Sequence, residues 1–296
     1  MDIAAKIASE LQIRNNQAEA AIKLIDEGNT IPFISRYRKE ATGALNDEQL
    51  RKLFERLNYL RNLEDRKSTV LSSIEEQGKL TAELKKQIES AETMVAVEDL
   101  YRPYKQKKRT RATIAKERGL SGLASIISLQ MTKKALEDEA KSYIDAEKDV
   151  PDTDTAISGA LDIIAEEISD SADYRTKIRS LTFKDGNLTS VAKDPEAESV
   201  YEMYYNFSSP VSKLTGYRVL AINRGEKEKV LTVKLEAPVD KILAYLEKQV
   251  IVRDNPNTTP YLKTAVADAY SRLIAPSIER EIRNELTENA EDNAIT

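Results

Sequence analysis

The stretch LNDEQLRKLFERLNYLRNLEDRKSTVLSSIEEQG, residues 45–78, limits what this chain can become more than any other. Asn46 can accept the N3 amide while Gln49 returns the bond, and Leu45 and Leu50 stand at the hydrophobic-staple positions. Leu50, Leu53, Phe54, Leu57, Leu60, Leu63, Val70, Leu71 and Ile74 then keep one apolar stripe at helical spacing until Gly78. This spacing predicts a single long amphipathic helix. Such a helix must lay its stripe on other helices, so the chain is expected to be mainly α.

Composition agrees. Only 9 Gly and 9 Pro among 296 residues, with 32% charged residues rich in Glu, Lys and Arg, favour helix over a fold of strands and turns. Local signals predict shorter helices around the long one. Two precede it, broken near Asn15-Asn16, with Gly28 ending the second; Thr81 and Thr93 open two more, the latter closing at Pro103. Segments Thr110 to Gly119, Leu120 to Ser128 and Thr132 to Tyr143 follow in a helix-turn-helix-like cadence. Asp152 or Thr153 starts another helix, and one around Tyr174 to Phe183 carries Arg175 and Arg179. Tyr201, Tyr204, Tyr205 and Phe207 have helical spacing that points to packing rather than to a site. YRVLAINRGEKEKVLTVKLEA, from Tyr217, reads as two β-rich runs about a polar turn, giving one small β-hairpin near 217–237. Helices resume at Pro238, and the last is still helical where the sequence stops, which implies truncation at Thr296. The expected architecture is a multi-helical, elongated bundle in two regions, 1–195 and 196–296, the second carrying the hairpin.

Histidine and cysteine are both absent. That removes imidazole bases, thiol nucleophiles, disulfides and the usual zinc sites, and argues for a non-enzymatic protein without cofactor or metal. Paired acids such as Glu166-Glu167 lack a phosphate loop or a convergent partner. The N-terminus has no basic and apolar segments of a signal peptide, and no apolar run reaches membrane-span length, so a cytoplasmic protein is expected.

Two basic stretches are the candidate contacts. In KQKKRTR, Lys105, Lys107, Lys108, Arg109 and Arg111 make five of seven residues basic with no acid between them, in a chain of net charge −5. The stretch follows Tyr101-Arg102-Pro103-Tyr104 and precedes a capped helix whose N-terminus attracts anions. It is either a phosphate contact or a solubilising loop. In RYRKE, Arg36, Arg38 and Lys39 flank Tyr37, the residue types that hold phosphates and stack on bases. The ordinary alternative is a short helix with Phe33, Ile34 and Tyr37 turned inward and its cations solvated or paired with Glu40.

Four blocks in order, TIPFISRYRKEATGALNDEQL, SIEEQGKLTAEL, VEDLYRPYKQKKRTRATIAKERGL and YRVLAINRGE, resemble the N-terminal half of the bacterial Tex transcription accessory family. That family is similar to the core of a eukaryotic transcription elongation factor that also binds histones. The resemblance implies a helical nucleic-acid-binding protein, contacting RNA or DNA, in which this region precedes ribonuclease-H-like, helix-hairpin-helix and oligonucleotide-binding-fold domains. It further implies that the last of these supplies much of the RNA affinity, leaving this region as scaffold with auxiliary phosphate contacts, or as a scaffold that docks on the transcription machinery. Members commonly carry Ser-His where this sequence has Gly216-Tyr217, so no role of that histidine carries over.

Overall fold

The computed structural model describes residues 1–295, with side chains through Asp292. The chain forms two compact units, Met1–Tyr101 and Arg102–Thr296. The division therefore falls after Tyr101, and residue 195 lies inside the second unit.

In the first unit the long helix is α5, Asp47–Glu76, after α1 (Ile3–Leu11), α2 (Asn15–Asp26), α3 (Ile31–Tyr37) and α4 (Lys39–Thr42), and before α6 (Ala82–Ser90) and α7 (Met94–Tyr101). Its capping box forms as expected: the Gln49 amide donates to Asn46 Oδ1 at 2.8 Å and the Asn46 amide to Gln49 Oε1 at 3.0 Å. Leu50, Leu53, Leu57, Leu60, Leu63, Val70 and Ile74 are buried against α1, α2, α3, α6 and α7. Lys67 falls on the same stripe and is buried too. It is satisfied by Glu64 Oε1 at 3.1 Å and the Glu89 carbonyl at 2.9 Å, as a buried ammonium must be. Outside the stripe, forked arginine–carboxylate pairs tie neighbours to α5: Arg56 grips Glu10 of α1 at 2.7 and 2.9 Å, and Arg61 grips Asp26 of α2 at 2.7 and 2.9 Å. The turn from α4 into α5 needs Gly43, whose φ is +66°. The Gln17 side-chain amide clamps this turn by donating to the Thr42 and Gly43 carbonyls at 3.1 and 3.2 Å.

The second unit is built on α11, Thr153–Ser169, whose Ala156, Ala160, Ile163, Ile164 and Ala165 are buried. Packed on it are α8 (Arg111–Glu117), α9 (Ser121–Leu129), α10 (Leu136–Ala140), α15 (Thr259–Asp268) and the π-helical turn Ala269–Ile274. Gly159 admits this close approach, since a Cβ there would lie 2.3 Å from Leu120 Cδ1. The remaining elements are α12 (Ala172–Asp185), β1 (Asn187–Ala192), β2 (Asn206–Pro210), α13 (Gly216–Lys227), β3 (Leu231–Glu236), α14 (Val239–Val250) and α16 (Ala275–Ile295).

The expected hairpin near 217–237 does not form. Its first run is α13, with Val219, Ile222 and Gly225 buried at helical spacing against α16 and β3. Lys229, at φ +63°, turns the chain, and only the second run is a strand. That strand pairs with a distant one: the sheet is antiparallel in the order β2-β1-β3, with Leu188 opposite both Ser209 and Leu235. Tyr201 and Tyr204 are buried as expected, but they lie on a turn, and Phe207 is in β2. Thr132 caps no helix either. Its carbonyl accepts from the Asn255 and Asn257 side chains at 3.0 and 3.3 Å, so α10 starts later.

Candidate nucleic-acid interface

The RYRKE segment occupies α3, α4 and the kink between them. Thr30 caps α3 by accepting the Phe33 amide at 3.3 Å, and Pro32 fits the first turn, where an amide donor has no intrahelical use. A seven-residue helix has little inward surface, and Ile34 alone is buried in it. The inward placement of the aromatics is therefore corrected: Phe33 is 41% and Tyr37 67% exposed. Four residues apart, the two rings stand on one face with centroids 5.4 Å from each other. Arg38 breaks the helix at φ −126° and ψ 35°, and its Nε donates to Glu40 Oε1 at 2.9 Å. That bond holds the Glu40 carboxyl below the usual carboxylate range. Arg36 and Lys39 are exposed, and among the described residues no carboxylate comes within 4.0 Å of either. Of the three RYRKE cations, one is thus committed and two are open.

The basic loop of the second unit begins at a 3-10 turn, Arg102–Tyr104, and runs to Thr110. Lys107 is its anchor rather than an open contact. Its ammonium lies 2.6 Å from Glu166 Oε1 and also binds Asp170, both on or next to α11; its side chain is 23% exposed and each acid's 16%. Burial pushes the Asp170 carboxyl up, and Lys107 opposes the shift. The helix that follows offers no anion site. Thr110 and Thr113 close a capping box on each other, and the Thr110 hydroxyl donates to Glu166 Oε2 at 2.9 Å, setting a carboxylate where a phosphate would approach. Lys105, Lys108 and Arg111 are exposed, among the described residues without a carboxylate within 4.0 Å, and Arg109 meets Glu117 loosely at 3.6 Å on the surface. Lys105, Lys108 and Arg111 border a cleft of 460 Å³ that Glu166, Asp170 and Asp162 also line. Burial raises the Asp162 carboxyl against the pull of Arg272 and Arg111.

Arg175 of α12 is wholly buried, its guanidinium bound to the Ser169 and Ser277 hydroxyls at 2.9 and 2.7 Å, and Arg179 pairs with Glu281 at 2.8 Å. Both side chains therefore serve the packing of α12 against its neighbours. Tyr217, at the departure from the family pattern, is exposed beside Arg218, whose guanidinium lies 5.8 Å from its ring and 5.7 Å from that of Phe207. Among the described residues no group of three or more acids is arranged to hold a metal ion, and no helix is long and apolar enough to cross a membrane.

Residues 1–75 match the Tex-like protein N-terminal domain, and residues 132–296, more than half of the chain, match the Tex central region-like family. The chain belongs to the Tex family. It is 47% identical over 293 residues to the uncharacterized protein YdcI of Bacillus subtilis, covering 98% of this chain and 41% of that protein. Against the transcriptional accessory protein Tex of Neisseria gonorrhoeae it is 39% identical over 305 residues, all of this chain and 40% of that one. A human S1 RNA-binding domain-containing protein is 30% identical over 290 residues, 93% of this chain and 29% of that protein. This Tex-family chain thus spans about two fifths of the length of its bacterial relatives. The second matched region opens at residue 132, so the basic loop lies between the two family regions.

Proposed function

We propose that this chain is a non-enzymatic, cytoplasmic nucleic-acid-binding module of a Tex-family transcription accessory factor, a helical scaffold that adds phosphate contacts. One observation carries the reading: Arg36, Lys39, Lys105, Lys108 and Arg111 are exposed with no carboxylate of the described residues within 4.0 Å, although acids outnumber bases 50 to 45 in the chain. Cations left unpaired in an acidic protein are the groups that exchange small counterions for phosphates. Affinity from so few contacts is low, which fits a region that works beside others.

A second reading, a scaffold docking on the transcription machinery without touching nucleic acid, is favoured by the internal use of Lys107 and of the Thr110 cap. The salt response separates the two. Neutralising Lys105, Lys108, Arg109 and Arg111 together should flatten the slope of log affinity against log salt by up to about 3 to 4 units, and neutralising Arg36 and Lys39 by up to about 1.5 to 2. Unchanged slopes in both variants, measured by anisotropy on folded protein, would favour the docking scaffold.

A further inference from the structure

The phosphate reading accounts for the cations of α3 and α4 but not for the rings beside them. Phe33 and Tyr37 are large aromatic side chains held in the open, on a helix whose inward residue is Ile34. Their ring centroids lie 5.4 Å apart with the planes inclined at 45°, and both rings remain open to solvent, Tyr37 the more so. Exposing them forgoes the free energy of burying two aromatic rings, and no packing need of α3 requires it. The surroundings select what can cover them. Between Ile31 and Thr42 the sole carboxylate is Glu40, and Arg38 already holds it at 2.9 Å. The open charges beside the rings, Arg36 and Lys39, are both positive. A ligand that fits must present both flat π faces and negative charge.

We propose that the Phe33–Tyr37 pair is a base-stacking platform for single-stranded nucleic acid, with Arg36 and Lys39 on the adjoining phosphates. The inference rests on the nucleic-acid reading above and adds to it a strand preference. Bases in a duplex are stacked on their neighbours and cannot lie on a side-chain ring, whereas an unpaired base can. Stacking releases no counterions, so this part of the affinity does not depend on salt, and the part due to Arg36 and Lys39 does. An acidic peptide would satisfy the two cations and leave the rings without a matching partner.

The test uses the 296-residue chain and two fluorescent probes, an oligo-dT of about 15 nucleotides and a duplex of the same length. Tyr37→Ala should weaken oligo-dT binding by roughly 5- to 150-fold at every salt concentration without changing the salt slope, and should leave duplex binding unaltered. Tyr37→Phe should bind like wild type, and Tyr37→Leu, which keeps an apolar group but no π face, should resemble Tyr37→Ala. The ring is exposed, so these variants keep the fold, as far-ultraviolet circular dichroism should verify. If Tyr37→Ala and Tyr37→Leu bind oligo-dT like wild type while Arg36→Gln with Lys39→Gln flattens the slope, the stacking platform is refuted and the phosphate reading stands. If wild type binds neither probe even at low salt, both fall.

Discussion

Lys107 offers the sharpest test of the basic loop, because in KQKKRTR it looks like its neighbours and in the structure it is not. Substituting Lys107→Met keeps the length of the side chain and removes the charge that Glu166 and Asp170 share. Taking away one partner of a fully buried ion pair costs about 3–5 kcal/mol. Here the lysine side chain is 23% exposed and the acids 16%, so water answers part of the loss, and about 2–3 kcal/mol is the expectation. The pH dependence has a definite sign. Burial already raises the Asp170 carboxyl in the folded protein, with Glu166 adding to the rise and Lys107 opposing it. A carboxyl whose folded pKa exceeds its unfolded value holds its proton more tightly in the native state, so stability falls as pH rises between the two values. Without Lys107 the folded value rises further and that window extends upward. The variant should therefore sit near wild type at about pH 4, where an unfolded aspartate is half protonated, and show its full loss above the raised value. Hydrogen exchange on peptides of α8 and α11 reads the second unit by itself. Equal protection of variant and wild type at neutral pH, or an equal loss at both pH values, would refute the anchor. So would a salt slope for nucleic-acid binding changed by as much as about 0.7, the weight of one lost phosphate contact on a single strand.

Leu53→Ala or Leu57→Ala should cost about 2–5 kcal/mol in urea unfolding of the first unit, since both side chains are buried on the α5 stripe; a loss under about 0.5 kcal/mol would mean that the stripe is not packed. Gly43→Ala should cost about 1–2 kcal/mol or more, because a residue with a Cβ is held at φ +66° and that Cβ would come 2.7 Å from the Gln17 Nε2 that clamps the turn, and thermal unfolding of the variant checks it. Ser190→Ala in the central strand removes a buried hydroxyl that donates to the Tyr204 carbonyl at 2.7 Å and should cost about 1–3 kcal/mol in the second unit, read by exchange at β1.

The parts of this fold that could be read from sequence are those whose causes lie within one helical turn. Asn46, Thr81, Thr110 and Asp152 cap helices through a side chain and an amide three residues on, so the signal and the structure share one short window. The α5 stripe was legible for the same reason, its period repeating from Leu50 to Ile74, over more than six turns. The sheet was not. β3 pairs with β1, with 187 opposite 236, and nothing local to Leu231–Glu236 names a partner so far away. The nearer β-like run, Val219 to Ile222, has four consecutive apolar residues, a pattern that fits a strand or a helix equally, and packing against α16 decided for the helix.

The candidate site divides along the same line, and the division explains why a basic run is a poor guide to a binding surface. KQKKRTR is the denser run, yet its central lysine is taken by acids 59 and 63 positions away in sequence, on a helix that the loop cannot announce. RYRKE is shorter and contains an acid, yet its acid is spent on Arg38, two residues off, and Arg36 and Lys39 are left open. What decides availability is where the carboxylates go, a tertiary fact for the first run and a local one for the second. The aromatics obey a similar rule. Spacing put Phe33 and Tyr37 on one face of a helix, four residues apart, but whether that face turns inward depends on how much surface a seven-residue helix can bury. With Ile34 filling the inward position, the rings and the open cations are displayed together, and the weaker-looking motif becomes the one with a surface to offer.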